Sequence, residues 1–139
     1  MIINFLIIIQ EKMSVIIDFI AGIGLEMVKD KIINQSSSRE IQERIRNYLK
    51  KQSSLNFYAL LEEEIDFEGL SDYIRGNMIE DIKLRCFGNK RERGLARESL
   101  VSKARIYASA KTDISTKRTI KIVTDIADVL YQYYRSKVN

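Results

Sequence analysis

The chain has 139 residues, with 23 basic and 19 acidic side chains and a formal net charge of +4. It contains no histidine, no proline and one cysteine, Cys86. The lack of histidine excludes imidazole acid–base catalysis and His-ligated metal sites, and a lone cysteine excludes an internal disulfide and fits a reducing compartment. We therefore predict a cytoplasmic, non-enzymatic protein with no catalytic residue, metal or cofactor.

Length and composition also bound the fold. A chain of this size buries about two-thirds of its unfolded surface, which is enough for one core without a disulfide or metal. Because proline interrupts helices and none is present, the sequence suits long uninterrupted helices. We predict an all-α fold, a compact bundle of five to six helices.

The N-terminus begins with an apolar run, Met1 to Ile9, which ends at Gln10, Glu11 and Lys12. This run is too short to span a bilayer, which requires about 20 apolar residues, and it lacks the features of a signal peptide. Ser14 is a good N-cap. We therefore expect residues 1–12 to be an extension outside the core, and residues 13–139 to form a single helical domain.

The first two helices are predicted from apolar spacing. Ile16, Ile20, Ile23 and Met27 recur at helical intervals and indicate a helix over about residues 14–33. A polar break follows, and Ser37 with Glu40 has the spacing of a capping box. The second helix has its apolar face at four positions: Ile41, Ile45, Tyr48 and Leu49.

Four more helices are expected in the rest of the chain. A short helix opens at Ser53-Ser54 and ends at the acidic run 62–64, and a longer one starts at Asp66 and reaches about Cys86. Gly88-Asn89 is the clearest loop signal. A fifth helix covers about residues 92–111, and the last carries a core stripe at Ile120, Val123, Ala127, Leu130 and Tyr134.

Charge is sorted along the chain. Residues 54–82 hold eight acids and one base, whereas residues 83–121 hold twelve bases and three acids. This separation predicts two interaction faces, since surfaces of one sign attract oppositely charged partners. The acidic face consists of Glu62, Glu63, Glu64, Asp66 and Glu68; the basic face consists of Lys90, Arg91, Arg93, Arg97, Lys103 and Arg105.

Each face has more than one interpretation. The acidic residues lack a calcium-loop pattern, so we interpret them as a solvated or docking surface. The basic residues are expected to pair with the acidic helix within the fold, to dock a protein, or to neutralise nucleic-acid phosphates, in decreasing order of preference. No phosphate-binding loop motif occurs. Cys86 is predicted to be a structural residue, although Arg85 and Lys90 would lower its pKa.

Three stretches carry a family resemblance. They read I-D-F-E-G-L-S-D-Y-I from Ile65, E-S-L-V-S-K-A-R-I-Y-A-S-A-K-T from Glu98, and T-I-K-I-V-T-D-I-A-D-V-L-Y-Q-Y-Y from Thr119. Residues 13–139 resemble the helical N-terminal modules that precede NACHT or related STAND-type NTPase domains in bacterial proteins. Such a resemblance implies an adaptor or effector contact beside an ATP-binding, oligomerising NTPase, often in antiphage defence, although this chain contains no NTPase.

Together these observations predict a non-catalytic helical interaction or assembly module, with a protein partner or self-association and no small-molecule substrate. A nucleic-acid-binding domain that uses residues 90–105 is the first alternative. A membrane-active effector that uses the apolar N-terminus is the second, and a membrane role is the less favoured.

Overall fold

The computed structural model describes residues 2–31, 35–52, 67–111 and 115–138. All regular structure in these ranges is helical, which confirms the predicted all-α fold. The elements are α1 (Ile2–Glu26), a 3₁₀ turn (Lys29–Lys31), α2 (Gln35–Lys51), α3 (Phe67–Asn77), α4 (Ile79–Phe87), α5 (Lys90–Ser109) and α6 (Thr116–Val138). The helix expected over residues 53–64 lies outside the described ranges.

The chain forms two compact units, Met1–Glu64 and Ile65–Asn139. The sequence placed residues 13–139 in one domain, and that prediction stays a prediction. The first unit contains α1 and α2, and the second contains α3 to α6.

In the first unit, α1 packs against α2. Ile20, Ile23 and Ile45 are fully buried, as their helical spacing predicted. α1 begins at Ile2, so residues 2–12 continue the helix that we expected to start near Ser14. The apolar run and the following segment propagate one helix because no proline or glycine lies between them. None of the described helices combines the length and apolarity needed to cross a bilayer.

The second unit is held by mutual packing of α4, α5 and α6, with α3 against α4 and α5. Ile82, Leu100 and Leu130, one from each packed helix, are fully buried. Ala104, at 0% exposure, allows a neighbouring helix to approach closely. This packing brings the end of α4, the start of α5 and the second half of α6 together.

α3 and α4 replace the single long helix that we expected from Asp66 to Cys86. The break falls at Met78, whose φ of −120° departs from helical values. The backbone carbonyl of Asn77 accepts a hydrogen bond at 2.7 Å from the Lys103 ammonium of α5. A contact with another helix therefore supports this corner. Gly76 and Asn77, two poor helix formers just before Met78, are a local signal for it that the sequence prediction did not use.

The turn between α4 and α5 is closely packed at Gly88. A Cβ at this position would lie 2.6 Å from the carbonyl oxygen of Leu84 and 2.8 Å from the Cβ of Glu92. Asn89 then caps α5: its side chain accepts from the Glu92 amide at 2.9 Å, and its own amide donates to the Glu92 carboxylate at 3.0 Å. This capping box fixes the direction in which α5 leaves the turn.

Candidate functional site

The structure describes one of the five residues of the predicted acidic face, Glu68. Glu62, Glu63, Glu64 and Asp66 lie outside the described residues. Glu68 lies in the first turn of α3 and is exposed. The pairing that we expected between the acidic and basic segments therefore stays a prediction for the first four residues.

The predicted basic face divides into three groups on α5. Lys90, Arg91 and Arg105 are exposed. Lys103 is turned toward α4, where its ammonium lies 2.5 Å from a carboxylate oxygen of Asp81. A third group, Arg93 and Arg97, contacts α6 and the turn between α4 and α5.

The Lys103 group is a structural ion pair. Asp81 is only 9% exposed, and Lys103 also donates to the Asn77 carbonyl at 2.7 Å. The Tyr73 hydroxyl in turn donates to the Lys103 carbonyl at 3.1 Å. The ammonium contacts with Asp81 and Asn77 satisfy the charge of Lys103 within the fold, so intramolecular pairing accounts for this member of the basic face.

Arg85 and Arg97 converge on one carboxylate, Asp128 of α6. The Arg85 guanidinium lies 3.1 Å from one oxygen of Asp128, and that of Arg97 lies 3.2 Å from the other. The Arg85 side chain is 16% exposed, whereas that of Arg97 is 53% exposed. The Arg85 pair is therefore the more sheltered from water and contributes more to stability.

Three guanidinium groups surround the ring of Tyr131, one turn beyond Asp128. Their carbon atoms lie 4.2 Å (Arg85), 5.5 Å (Arg93) and 5.8 Å (Arg135) from the ring centroid, within the range of a cation–π attraction. Arg135 also donates to the Tyr131 hydroxyl at 2.7 Å, and Arg93 donates to the Gly88 carbonyl at 3.1 Å. The ring and these bonds hold mutually repelling cations close together.

We call Arg85, Arg93, Arg97 and Arg135 the arginine cluster. Asp128 is the carboxylate that pairs with it among the described residues, so four positive charges meet one negative charge. The second unit as a whole has fifteen basic and ten acidic residues, a formal charge of +5. The cluster is therefore a concentrated part of a broadly positive surface, and it favours an anion.

An open cleft of about 480 Å³ adjoins the cluster, and we call it the arginine cleft. Its lining comprises Cys86, Phe87, Gly88, Arg93, Tyr131, Tyr134 and Arg135. The Phe87 and Tyr134 rings, with centroids 4.8 Å apart, form an apolar wall in the same lining as Arg93 and Arg135. The cleft thus combines positive charge and aromatic surface in one lining.

Burial raises the pKa of two side chains that line the cleft, Cys86 and Tyr134. It raises the pKa of the Cys86 thiol to about 12, outweighing the lowering effect of Arg85. Burial also raises the pKa of the Tyr134 phenol. Both groups are neutral at pH 7, so Cys86 lacks the thiolate character of a reactive cysteine and supplies no negative charge to the cleft.

Sequence reasoning missed the α4 and α6 contributions, namely Arg85, Asp128, Tyr131 and Arg135. Arg85 and Asp128 are 43 residues apart, so only the packing of α4 on α6 joins them. One local signal was available in the turn: Asn89 and Glu92 have capping-box spacing, which indicates where α5 starts.

No group of three or more potential metal ligands is found within the described ranges. Comparison with protein-family models, with curated proteins and with solved structures found no match to this chain.

Proposed function

We propose that the chain is a non-catalytic docking module whose second unit binds an acidic segment of a partner protein at the arginine cluster. The observation that carries this proposal is the convergence of four guanidinium groups from three helices, with one carboxylate pairing with them among the described residues. Like charges are held together at a cost to stability, and binding an anion offsets that cost.

A protein partner is favoured over nucleic acid by the aromatic surface beside the arginine cluster. Phe87 is 44% exposed, and it lines the same cleft as Arg93 and Arg135. Apolar anchors beside arginines are typical of protein interfaces, whereas phosphate-backbone contacts use polar and cationic groups. Lys103 is also committed to Asp81, which interrupts a continuous basic stripe.

The test is fluorescence anisotropy with a labelled poly-glutamate peptide in 50 mM salt. We expect Arg93→Glu with Arg135→Glu to reduce affinity at least about tenfold, since two charge-assisted contacts become repulsive. The matched control is Arg91→Glu with Arg105→Glu, which makes the same change in net charge outside the cluster. Equal losses in both double variants would show a nonspecific field effect and contradict the proposal.

Duplex DNA in the same assay tests the first alternative. Nucleic-acid binding requires tighter binding to DNA than to the peptide, a steep fall in affinity with salt, and loss of binding in the Arg91→Glu, Arg105→Glu variant. Liposome leakage that depends on residues 1–12 is the corresponding test for the membrane-active alternative.

The proposed setting is the cytoplasm, beside a STAND-type NTPase in bacterial defence. The stretches from Ile65, Glu98 and Thr119 support the NTPase setting through their resemblance to N-terminal modules of that class, and the lone cysteine supports a reducing compartment. A phosphate-binding loop motif encoded downstream of Asn139 is the expected finding. Fractionation of cells that produce the tagged protein tests the compartment.

A further inference from the structure

The four guanidinium groups of the arginine cluster differ in whether a carboxylate neutralises them. Arg85 and Arg97 are paired with Asp128. Arg93 and Arg135 line the cleft, each with one hydrogen bond to a neutral oxygen, and among the described residues neither pairs with a carboxylate. A guanidinium has five N–H donors, so both groups retain donors for a ligand.

Tyr131 prepares these donors for an incoming anion. Its ring lies beside both guanidinium groups, with their carbon atoms 5.5 and 5.8 Å from the centroid, which limits their side-chain freedom before binding. Its oxygen accepts from Arg135 at 2.7 Å, so its own O–H remains available as a third donor. Less conformational entropy is lost when a ligand meets groups that are already ordered.

We infer that the arginine cleft binds a phosphate monoester, presented by a phosphorylated side chain in the acidic partner segment. This inference rests on the proposed function and specifies its ligand. A phosphate monoester carries a charge of about −1.5 to −2 and three acceptor oxygens, which suits a cluster with surplus positive charge better than one carboxylate does. Guanidinium forks match phosphate geometry, whereas an ammonium acts as a point charge.

Cleft size and lining agree with such a ligand. Its volume of about 480 Å³ is ample for a phosphate together with the side chain that carries it. The Phe87 and Tyr134 rings offer apolar surface to the carbon atoms of that side chain. The neutral thiol of Cys86 adds no charge that would repel the phosphate.

The experiment compares three labelled pentapeptides in about 150 mM salt, each with four glutamates around a central phosphoserine, glutamate or serine. We expect the phosphoserine peptide to bind at least about tenfold more tightly than the glutamate peptide. Of the three peptides, only the phosphoserine peptide is expected to lose affinity when the pH is lowered from 7.5 to 5.5, because the second pKa of the phosphate is about 6.

Lysine variants test the fork geometry at constant charge. Arg93→Lys with Arg135→Lys is expected to reduce the preference for phosphoserine to less than about threefold, because bidentate contacts are lost. Arg91→Lys with Arg105→Lys is the matched control and is expected to preserve the preference. Circular dichroism at 222 nm verifies that each variant is folded; a preference unchanged in folded Arg93→Lys, Arg135→Lys protein overturns the inference.

The outcomes of these binding experiments distinguish phosphate recognition from docking of an acidic segment. Equal affinity for the phosphoserine and glutamate peptides overturns the phosphate inference and leaves acidic-segment docking intact. Failure of both peptides to bind overturns both. If AMP displaces the phosphoserine peptide at concentrations below that peptide's dissociation constant, the phosphate chemistry is supported, its source is a free nucleotide, and protein docking is contradicted.

Discussion

Replacing Asp128 with asparagine removes the carboxylate that pairs with the arginine cluster while keeping the size of the side chain. The main loss is the contact with Arg85, whose Nη2 lies 3.1 Å from the carboxylate and whose side chain is 16% exposed. Asp128 itself is 31% exposed, and Arg97, its second partner, is 53% exposed. The contact with Arg85 therefore contributes more to the free energy of unfolding than the contact with Arg97.

A sheltered charge-assisted contact contributes about 1.5 to 3 kcal/mol, and an exposed ion pair about 0 to 1 kcal/mol. The asparagine oxygen still accepts one hydrogen bond from Arg85, which returns about 1 kcal/mol. We expect Asp128→Asn to lower the free energy of unfolding by about 2 kcal/mol. For a small helical unit, this corresponds to a urea midpoint lower by about 1 to 2 M.

The assay is urea unfolding at pH 7 followed by circular dichroism at 222 nm. Asp125→Asn is the matched control, one turn away on α6, because Asp125 pairs with Lys121 at an exposed i,i+4 position. That change is expected to cost at most about 0.5 kcal/mol. Equal effects of the two substitutions would refute the reasoning, since both carboxylates would then act as ordinary surface charges.

Asp128→Asn is expected to change peptide affinity in the direction opposite to its effect on stability. Because Asp128→Asn removes the negative charge beside the arginine cluster, we expect the less stable variant to bind acidic peptides more tightly. A loss of affinity proportional to the loss of stability would contradict this expectation. Stability and affinity therefore separate the structural role of Asp128 from its electrostatic effect on the cleft.

Three further predictions concern the fold of the second unit, and urea unfolding checks the first two. Leu100→Ala is expected to cost about 2 to 5 kcal/mol and Leu95→Ala less than about 0.5, because the first side chain is fully buried and the second is 55% exposed; similar costs would contradict the packing. Gly88→Ala is expected to destabilise through its crowded surroundings, whereas Gly94→Ala, with open space around it, is expected to stabilise by about 0.5 to 1 kcal/mol; equal signs would argue against the turn geometry. The pKa of the Cys86 thiol is 9.0 when exposed and about 12 in the folded protein, so its contribution to stability is fully present below pH 9 and is lost as pH rises toward 12. In urea titrations at pH 8 to 11, the free energy of unfolding should therefore decline less with pH in Cys86→Ala than in the unmodified protein. An unchanged decline would contradict the burial of Cys86.

Sequence periodicity predicted the helical core well. Ile20, Ile23 and Leu130 are fully buried at the positions that helical spacing assigned to the core. Burial of apolar side chains follows a local repeat of 3.6 residues, so it can be inferred from neighbours in sequence. The start of α1 was less predictable, because the good capping residue Ser14 competes with a continuous run of helix-compatible residues on both sides.

The basic face was predicted less well, because contacts between helices decide which of its side chains are paired and which are exposed. Lys103 and Arg105 look equivalent in sequence, yet one pairs with Asp81 and the other is exposed. The direction in which each residue points is set by how α4 and α6 pack on α5. The break at Met78 is supported from α5 in the same way, although Gly76 and Asn77 before it also favour the end of a helix.

The origin of the arginine cleft in three helices has a consequence for reconstitution. A synthetic peptide covering residues 90–105 would contain every residue of the predicted basic face and none of Arg85, Tyr131 or Arg135. Such a peptide retains attraction to anions in proportion to its charge, but it has no aromatic ring between its guanidinium groups and no wall to exclude water. The selective binding that we propose therefore requires the folded second unit, so loss of that binding would report unfolding as directly as a spectroscopic probe does.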